Sequence, residues 1–347
     1  MIVERARASA REWVIQEVAR APGFVGAFFS GSINDLALNA ELPATSDIDI
    51  LIVVDGPDVP RKPGKFVHRG ALIEASYLSS AQIRTPDQVL RSPHLAWSLR
   101  ADASLIHDPL GRLAPLQSAV ARDFARRDWV IQRCAASRDK VLRNLAGVNA
   151  TQPLADQVIG WLFAAGVTTH ILLVAGLRNP TVRKRYLAVR DLLAETDRAA
   201  FYPVLLEMLG CARLGRERVE QHLVSLAGVF DAACAVIASP FEFAADISAG
   251  SRPVAIDGSR ELIESGDHRE AVFWIAVTHS RCQQVLARDA PAGAAERYLP
   301  GYRRVLADLG VASPADLQRR CRRIAELLPR VWQEAEAIID ANPEITR

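Results

Sequence analysis

Hydrophobic and polar positions change their period several times at the start of the chain. Residues 1–22 place apolar side chains at helical spacing, and Pro22-Gly23 ends that pattern. A short apolar run over 24–30 is typical of a buried strand. The spacing then predicts a second helix over 33–41. The uninterrupted run of Ile, Leu and Val over 48–54, with one Asp inside it, predicts a central strand.

The pattern becomes helical after one further strand. That strand is predicted over 67–78, and Thr85-Pro86-Asp87 is a typical start of a helix. From residue 116 onward one helix follows another, separated by Pro and Gly, and no strand pattern of comparable strength returns. The sequence therefore predicts a small αβ domain over residues 1–115 and an all-helical domain over residues 116–347.

Composition supports two domains and excludes several classes of protein. The chain has 347 residues, of which 50% are hydrophobic and 24% charged, so it is neither disordered nor fibrous. A net charge of +2 does not indicate the strongly basic surface that nucleic-acid binding requires, so a nucleic-acid partner is not expected. Five widely spaced cysteines without a CxxC pair indicate reduced, buried thiols. Together with a charged N-terminal segment that is unlike a signal peptide, they favour a cytoplasmic protein.

One segment is long and apolar enough to raise the question of a membrane. The twenty residues from 158 to 177 carry no formal charge. Three glycines and a polar Thr168-Thr169-His170 centre argue against a span, and no second span accompanies it. We therefore expect a helix that is buried on all sides within a bundle, and no membrane partner.

The stretch from 28 to 54 carries the chemistry. Gly31 and Ser32 lie where the predicted strand turns into the predicted helix, so that free backbone N–H groups would converge there on an anion. Asp47 and Asp49 are two residues apart, so on a strand both carboxylates leave the same face, roughly 7 Å apart along the backbone. A hard divalent cation such as Mg²⁺ is the natural compensation for such a pair. The plain alternative is an Asp in a turn or cap.

Glu74 adds a third carboxylate on the next predicted strand. Its neighbours Ile73 and Ala75 are apolar, and a buried carboxylate without a partner is costly. A metal or a proton-transfer role would satisfy it, and the alternative is an edge-strand Glu paired with Arg69 or Lys65. A phosphate-binding turn, a carboxylate pair and a third carboxylate are together what metal-assisted phosphoryl transfer requires.

These residues carry a family resemblance. Gly31-Ser32 followed by Ser46-Asp47-Ile48-Asp49 at the head of an apolar strand is similar to the DNA polymerase β-like nucleotidyltransferase superfamily. A short N-terminal unit followed by a long helical domain resembles the aminoglycoside nucleotidyltransferases of the kanamycin and streptomycin type. The segment 106–113, with Asp108-Pro109-Leu110-Gly111, resembles the Asp-Pro-x-Gly segment that often closes this domain.

The resemblance implies an α+β architecture in which a small mixed-sheet nucleotidyltransferase domain, 1–115, precedes a helical substrate-binding bundle, 116–347. It implies a Mg²⁺-dependent enzyme that moves a nucleoside monophosphate to a hydroxyl of a small polar acceptor such as an aminoglycoside. The nucleotide expected first is ATP, which would donate AMP. The implied roles are phosphate binding by Gly31, Ser32 and Ser46, metal binding by Asp47 and Asp49, and metal or base chemistry by Glu74.

Several alternatives remain open at this point. The acceptor could be a protein or an RNA, or the chain could be a nucleotide-binding regulatory module without turnover, and the sequence leaves a homodimer open. Fourteen residues separate Ser32 from Asp47, more than the usual spacing, and Asp35 has to point away from a triphosphate. In the helical domain, Asp156 is a candidate for acceptor binding and 178–185 for phosphate binding. The plainer interpretations are a helix-dipole Asp and a solvated helix start, and His170 is expected in the core.

Overall fold

The computed structural model describes residues 1–56, 59, 60 and 62–347. It combines one five-stranded mixed sheet with many helices, which account for 62% of the chain, and confirms the α+β class. The strands are β1 Phe24–Ser30, β2 Ile48–Val54, β3 Gly64–His68, β4 Ala71–Ser79 and β5 Leu105–His107. The helices are α1 Val3–Trp13, α2 Pro86–Arg91, α3 Pro93–Leu99, α4 Leu113–Asp123, α5 Arg127–Ala146, α6 Leu154–Ala175, α7 Arg185–Glu195, α8 Tyr202–Leu209, α9 Arg216–Val236, α10 Gly258–Glu264, α11 His268–Asp289, α12 Leu299–Asp308 and α13 Pro314–Ala341.

The sheet has the strand order β3-β4-β2-β1-β5, which places the Ile- and Val-rich β2 at its centre. β2 runs parallel to β4, whereas its other neighbour β1 is antiparallel to it. β3 and β5 complete the two edges in antiparallel pairing. The central position explains the continuous apolar run of β2, because both of its faces must be covered.

Each face of the sheet has its own apolar core. One face packs against α1, with Ile48, Ile50 and Ile52 of β2 fully or almost fully buried. The opposite face buries Val53 together with Leu78 under the layer formed by α2–α4. Residues 47 and 49 alternate with the buried isoleucines, so they lie on this second face, at the end where β2 begins.

Two predicted elements are wrong in detail. The helix expected over 33–41 is absent: a four-residue 3₁₀ helix, Gly31–Asn34, is followed by turns. The side-chain amide of Asn34 donates to the carbonyl oxygen of Phe29 at 2.9 Å, and such local bonds compete with helix formation. The strand expected over 67–78 is in fact a hairpin, because Arg69-Gly70 turns the chain between β3 and β4. Both residues have a positive φ.

The chain divides into two compact units. The first contains residues 1–136, 177–182 and 342–347, and the second contains residues 137–176 and 183–341. The predicted division after residue 115 differs from this boundary. The start of α5 belongs with the sheet unit because buried Arg133 donates hydrogen bonds to the carbonyl oxygens of Leu90 and Phe124, at 3.2 and 2.6 Å. The second unit is built from helices, with α6 packed against α11 and α13.

Helix α6 contains the uncharged run and is a core helix. It is long and apolar enough to cross a membrane, yet 83% of its most apolar 18-residue stretch is buried inside the protein. Contrary to the expectation that no second segment of this kind is present, α9 is also long and apolar enough to cross a membrane, and 39% of its most apolar stretch is buried. The extensive burial of α6 is typical of the core helix of a soluble protein. No disulfide joins the five cysteines, four of which are buried as expected, and burial raises the pKa of the Cys134 thiol to about 12.

The N-terminus of α2 is closed by a capping box whose contribution to stability can be tested by substitution. The Thr85 hydroxyl accepts from the backbone N–H of Gln88, and the Gln88 side chain accepts from the N–H of Thr85. Thr85→Ala removes half of this capping box, so we expect the free energy of unfolding to fall by about 1 kcal/mol in urea denaturation. Thr85→Ser keeps the hydroxyl and is expected to stay near wild type. Equal losses in the two variants would contradict the capping role.

Candidate functional site

A row of four polar side chains crosses the sheet. Asp49 of β2 pairs in register with Ser30 of β1 on one side and with Glu74 of β4 on the other. Glu74 in turn pairs with Lys65 of β3. Because residues directly opposite one another on neighbouring strands project to the same face, these four side chains lie side by side. We refer to Ser30, Asp49, Glu74 and Lys65 as the cross-sheet row.

Three carboxylates converge at this row. Asp47, immediately before β2, joins Asp49 and Glu74, and one oxygen from each lies within 4.8 Å of the others. All three residues are partly buried. We call them the acidic triad. The expected same-face placement of Asp47 and Asp49 is confirmed, and β4 brings Glu74 to them. The catalytic and metal-binding roles of these residues stay predictions.

Two lysines neutralise part of the triad. The Lys65 ammonium donates to Asp47 Oδ2 at 2.6 Å and also to Glu74 Oε2, and its side chain is only 5% exposed. Lys62 reaches the other oxygen of Glu74 at 3.3 Å from a position that is 30% exposed. The Glu74–Lys65 ion pair of the sequence alternative is therefore confirmed, but Glu74 is not the exposed edge-strand residue that this alternative assumed, because β4 lies between β3 and β2 and the Glu74 side chain is 18% exposed. Arg69 pairs with Glu12 instead.

Gly31 supports the triad in a way that the sequence did not indicate. Its φ is +66°, in the left-handed region that favours glycine, and a Cβ built there would collide with Oδ2 of Asp49. The backbone after β1 thus comes directly against the Asp49 carboxylate. Because only a single 3₁₀ turn follows, the expected focusing of an anion by a helix N-terminus does not apply. Ser32 is exposed in this turn and Ser46, before Asp47, is partly buried.

Arg7 contacts the 3₁₀ turn that follows β1. This residue of α1 is buried, and its guanidinium lies 4.5 Å from the centre of the Phe29 ring. It donates to the carbonyl oxygen of Ile33 at 3.4 Å and also to that of Ala103. The sequence did not indicate this role of Arg7, because the carbonyl groups that it contacts belong to distant segments of the chain.

Asp35 is held by its own set of donors. Asn179 donates to its carboxylate at 2.7 Å, Trp97 through the indole N–H at 3.1 Å, and Arg100 at 3.1 Å. Partial burial raises the pKa of the Asp35 carboxyl, and the bond from Asn179 is the strongest of the opposing influences. None of these donors belongs to the triad. Asp35 is therefore a link between the turn, α3 and the segment 177–182.

The candidates expected in the helical domain lie in structural contacts, and residues 178–182 of the 178–185 candidate belong to the first unit instead. The Asp156 carboxylate, in the first turn of α6, accepts from the side-chain amide of Gln284. His170 is buried in α6, as expected. The expectation of a solvated helix start fails for Arg185, which is 2% exposed and lies 4.3 Å from the centre of the Phe273 ring. Burial lowers the pKa of Arg185 to about 10.

The segment that resembles an Asp-Pro-x-Gly closure has a local structural role. The Asp108 carboxylate accepts hydrogen bonds from the backbone N–H groups of Arg112, Leu113 and Ala114, at 3.0, 2.9 and 2.9 Å. These groups open α4, so Asp108 satisfies donors that have no partner within the helix. Gly111 supplies the turn between them with a φ of +62°.

The chemistry of the donor set fits a hard divalent cation. All three triad residues offer carboxylate oxygens, which Mg²⁺ and Mn²⁺ prefer, and these oxygens are close enough to share one ion. The partial burial of all three strengthens the attraction for a cation relative to bulk water. No protein-family model matches the chain, and comparisons with curated proteins and with solved structures also find no match.

Proposed function

We propose that the protein is a Mg²⁺-dependent nucleotidyltransferase that transfers a nucleoside monophosphate, AMP from ATP in the first instance, to a hydroxyl of a small polar acceptor such as an aminoglycoside. One observation carries the proposal: Asp47, Asp49 and Glu74 present oxygens within 4.8 Å of one another on one face of the sheet. The resemblance of Gly31-Ser32 and Ser46-Asp47-Ile48-Asp49 to the polymerase β-like superfamily supplies the reaction type.

In this proposal each residue has a defined task. Asp47 and Asp49 hold the metal, and Glu74 either completes its ligands or accepts the proton of the acceptor hydroxyl. Although no long helix follows Gly31 to add its dipole, the Ser32 hydroxyl and the backbone N–H groups of Gly31 and Ser32 would each donate a hydrogen bond to the phosphates. The Ser46 hydroxyl, next to Asp47, would donate another. Bound Mg²⁺ would neutralise the triphosphate and the departing pyrophosphate.

The reaction needs no protein nucleophile. The acceptor oxygen attacks the α-phosphorus and forms the new ester bond, while the bond from that phosphorus to the bridging oxygen breaks and pyrophosphate leaves. The hydroxyl proton passes to Glu74 or to solvent. Catalysis of this kind rests on position and charge, which carboxylates and backbone donors supply.

The proposal extends to the two units of the chain. The sheet unit would bind the nucleotide and the helical unit the acceptor, within the cytoplasm. A net charge of +2 supports a small acceptor over RNA, because binding to a phosphate backbone normally requires a strongly basic face.

Metal removal provides the direct test. Full-length protein is incubated with each of the four nucleoside triphosphates and a panel of aminoglycosides and other polyols, and pyrophosphate release is measured. We expect release that requires both acceptor and Mg²⁺, that EDTA abolishes and that excess Mg²⁺ restores. Mass spectrometry of the acceptor should show the added nucleoside monophosphate. Release without a modified acceptor, or insensitivity to EDTA, would contradict the proposal.

A second candidate function has its own supporting observation. The Lys65 ammonium already neutralises two triad carboxylates. A nucleotide-binding module without catalysis could keep this arrangement, because it does not need these carboxylates to hold a metal ion. Such a module would bind nucleotide without releasing pyrophosphate for any acceptor. Equilibrium binding and turnover measured on the same sample separate the two functions.

A further inference from the structure

Lysine is rare in this chain, yet it is concentrated at the triad. Only Lys62, Lys65, Lys140 and Lys184 are lysines among 42 basic residues, and two of these four contact Glu74. The β3–β4 hairpin places Lys65 opposite Glu74, so the side chain enters the cluster from the edge of the sheet. Lys65 is also almost completely buried there.

The position of the Lys65 ammonium is that of a bound cation. Its Nζ is 2.6 Å from Asp47 Oδ2 and is also hydrogen-bonded to Glu74 Oε2, which are carboxylates of two different triad residues. The carboxylate oxygens that a divalent ion would use lie within 4.8 Å of one another. An ammonium and a metal ion cannot share such a space, because two cations about 4 Å apart in a partly buried site repel strongly.

We infer that Lys65 is the built-in counter-ion of the metal-free triad, and that a divalent cation binds only when the Lys65 ammonium leaves Asp47 and Glu74. This inference deepens the proposed function, since it concerns the same metal site. The ammonium neutralises two of the three neighbouring carboxylates, Asp47 and Glu74, without metal, and competition with it sets the affinity for the free ion. A departing Lys65 is then available to the anionic phosphates of a nucleotide.

Lys62 provides the matched control. It carries the same charge and contacts the same Glu74, but at 3.3 Å and from a side chain that is six times more exposed (30% against 5%). It also reaches Glu74 through the oxygen that Lys65 does not use. Removing Lys62 therefore changes the local charge as much as removing Lys65 does, but leaves the ammonium within the triad.

Metal affinity without nucleotide tests the inference. Mn²⁺ binding to full-length wild type, Lys65→Met and Lys62→Met is measured by isothermal titration calorimetry. We expect the Kd of Lys65→Met to be at least tenfold lower than that of wild type, and that of Lys62→Met to change less than threefold. Mn²⁺ should also raise the Tm of Lys65→Met more than that of wild type. An unchanged or higher Kd in Lys65→Met overturns the inference, as does an equal gain in both variants.

A measurement on the wild type avoids dependence on the folding of a variant. Lysine acylation is followed by mass spectrometry with and without saturating Mn²⁺, and Lys140 and Lys184 serve as internal references. We expect Lys65 to react slowly without metal and at least fivefold faster with it, while the two references stay constant. Mn²⁺ bound without any change at Lys65 overturns the inference. Because nucleotide and acceptor are absent, a failure of transferase activity leaves these results intact and identifies the proposed function as the part that fails.

Discussion

Asp49→Asn is expected to lower nucleotidyl transfer by about a thousandfold in kcat/KM, equivalent to about 4 kcal/mol of transition-state stabilisation. Asp49 is the triad residue within the central strand β2, where it pairs in register with both Ser30 and Glu74. The amide has nearly the same shape as the carboxylate but carries no charge, so it binds a divalent ion poorly. Acceptor-dependent pyrophosphate release at saturating Mg²⁺ measures the loss, and circular dichroism checks that the sheet is retained.

Asp55→Asn is the control for this variant. Asp55 follows the far end of β2, and its exposed carboxylate accepts from Arg112 at 2.7 Å. Exposed ion pairs contribute little to stability, and Asp55 takes no part in the triad. We expect transfer by Asp55→Asn to stay within twofold of wild type. A folded Asp49→Asn that retains a tenth or more of the activity would remove the basis for the proposed metal site.

Gly31→Ala is expected to lower the free energy of unfolding by about 1–3 kcal/mol and to weaken Mn²⁺ binding at least tenfold. A positive φ costs this much for a residue with a side chain. The added methyl group also occupies the place of Asp49 Oδ2, so the carboxylate must turn away from Asp47 and Glu74. Urea denaturation and titration with Mn²⁺ measure the two effects separately.

Gly111→Ala separates the collision from the backbone strain. Gly111 has a φ of +62°, close to the +66° of Gly31, and a Cβ there meets no atom within 4 Å. We expect this variant to lose similar stability from its backbone and to bind Mn²⁺ as wild type does. If both alanine variants weaken metal binding equally, the contact between Gly31 and Asp49 has no part in the site.

Much of the sheet and of the triad follows from local patterns. The apolar run of β2 predicts a central strand because it must be covered on both faces, and period-two alternation places Asp47 and Asp49 together. The start of α2 is equally local, since Thr85 and Gln88 satisfy each other's backbone groups. Where local signals conflict, the prediction fails: residues 33–41 have helical spacing, but Asn34 and Asp35 bond to groups outside the segment.

Hydrophobic periodicity is enough to predict the α+β class and the central strand, and the residue types supply three carboxylates suited to a cation. Which of these residues meet depends on how the strands pair. The register that sets Asp49 beside Glu74 joins β2 to β4, with β3 between them in the chain, and sequence spacing does not encode such a pairing. The pairing of β3 with β4 brings Lys65 into the triad. The antiparallel pairing of β1 with β2 places Gly31, which directly follows β1, against Asp49. Local propensity acts over a few residues, whereas the charge balance of this site arises from chain segments that only folding brings together.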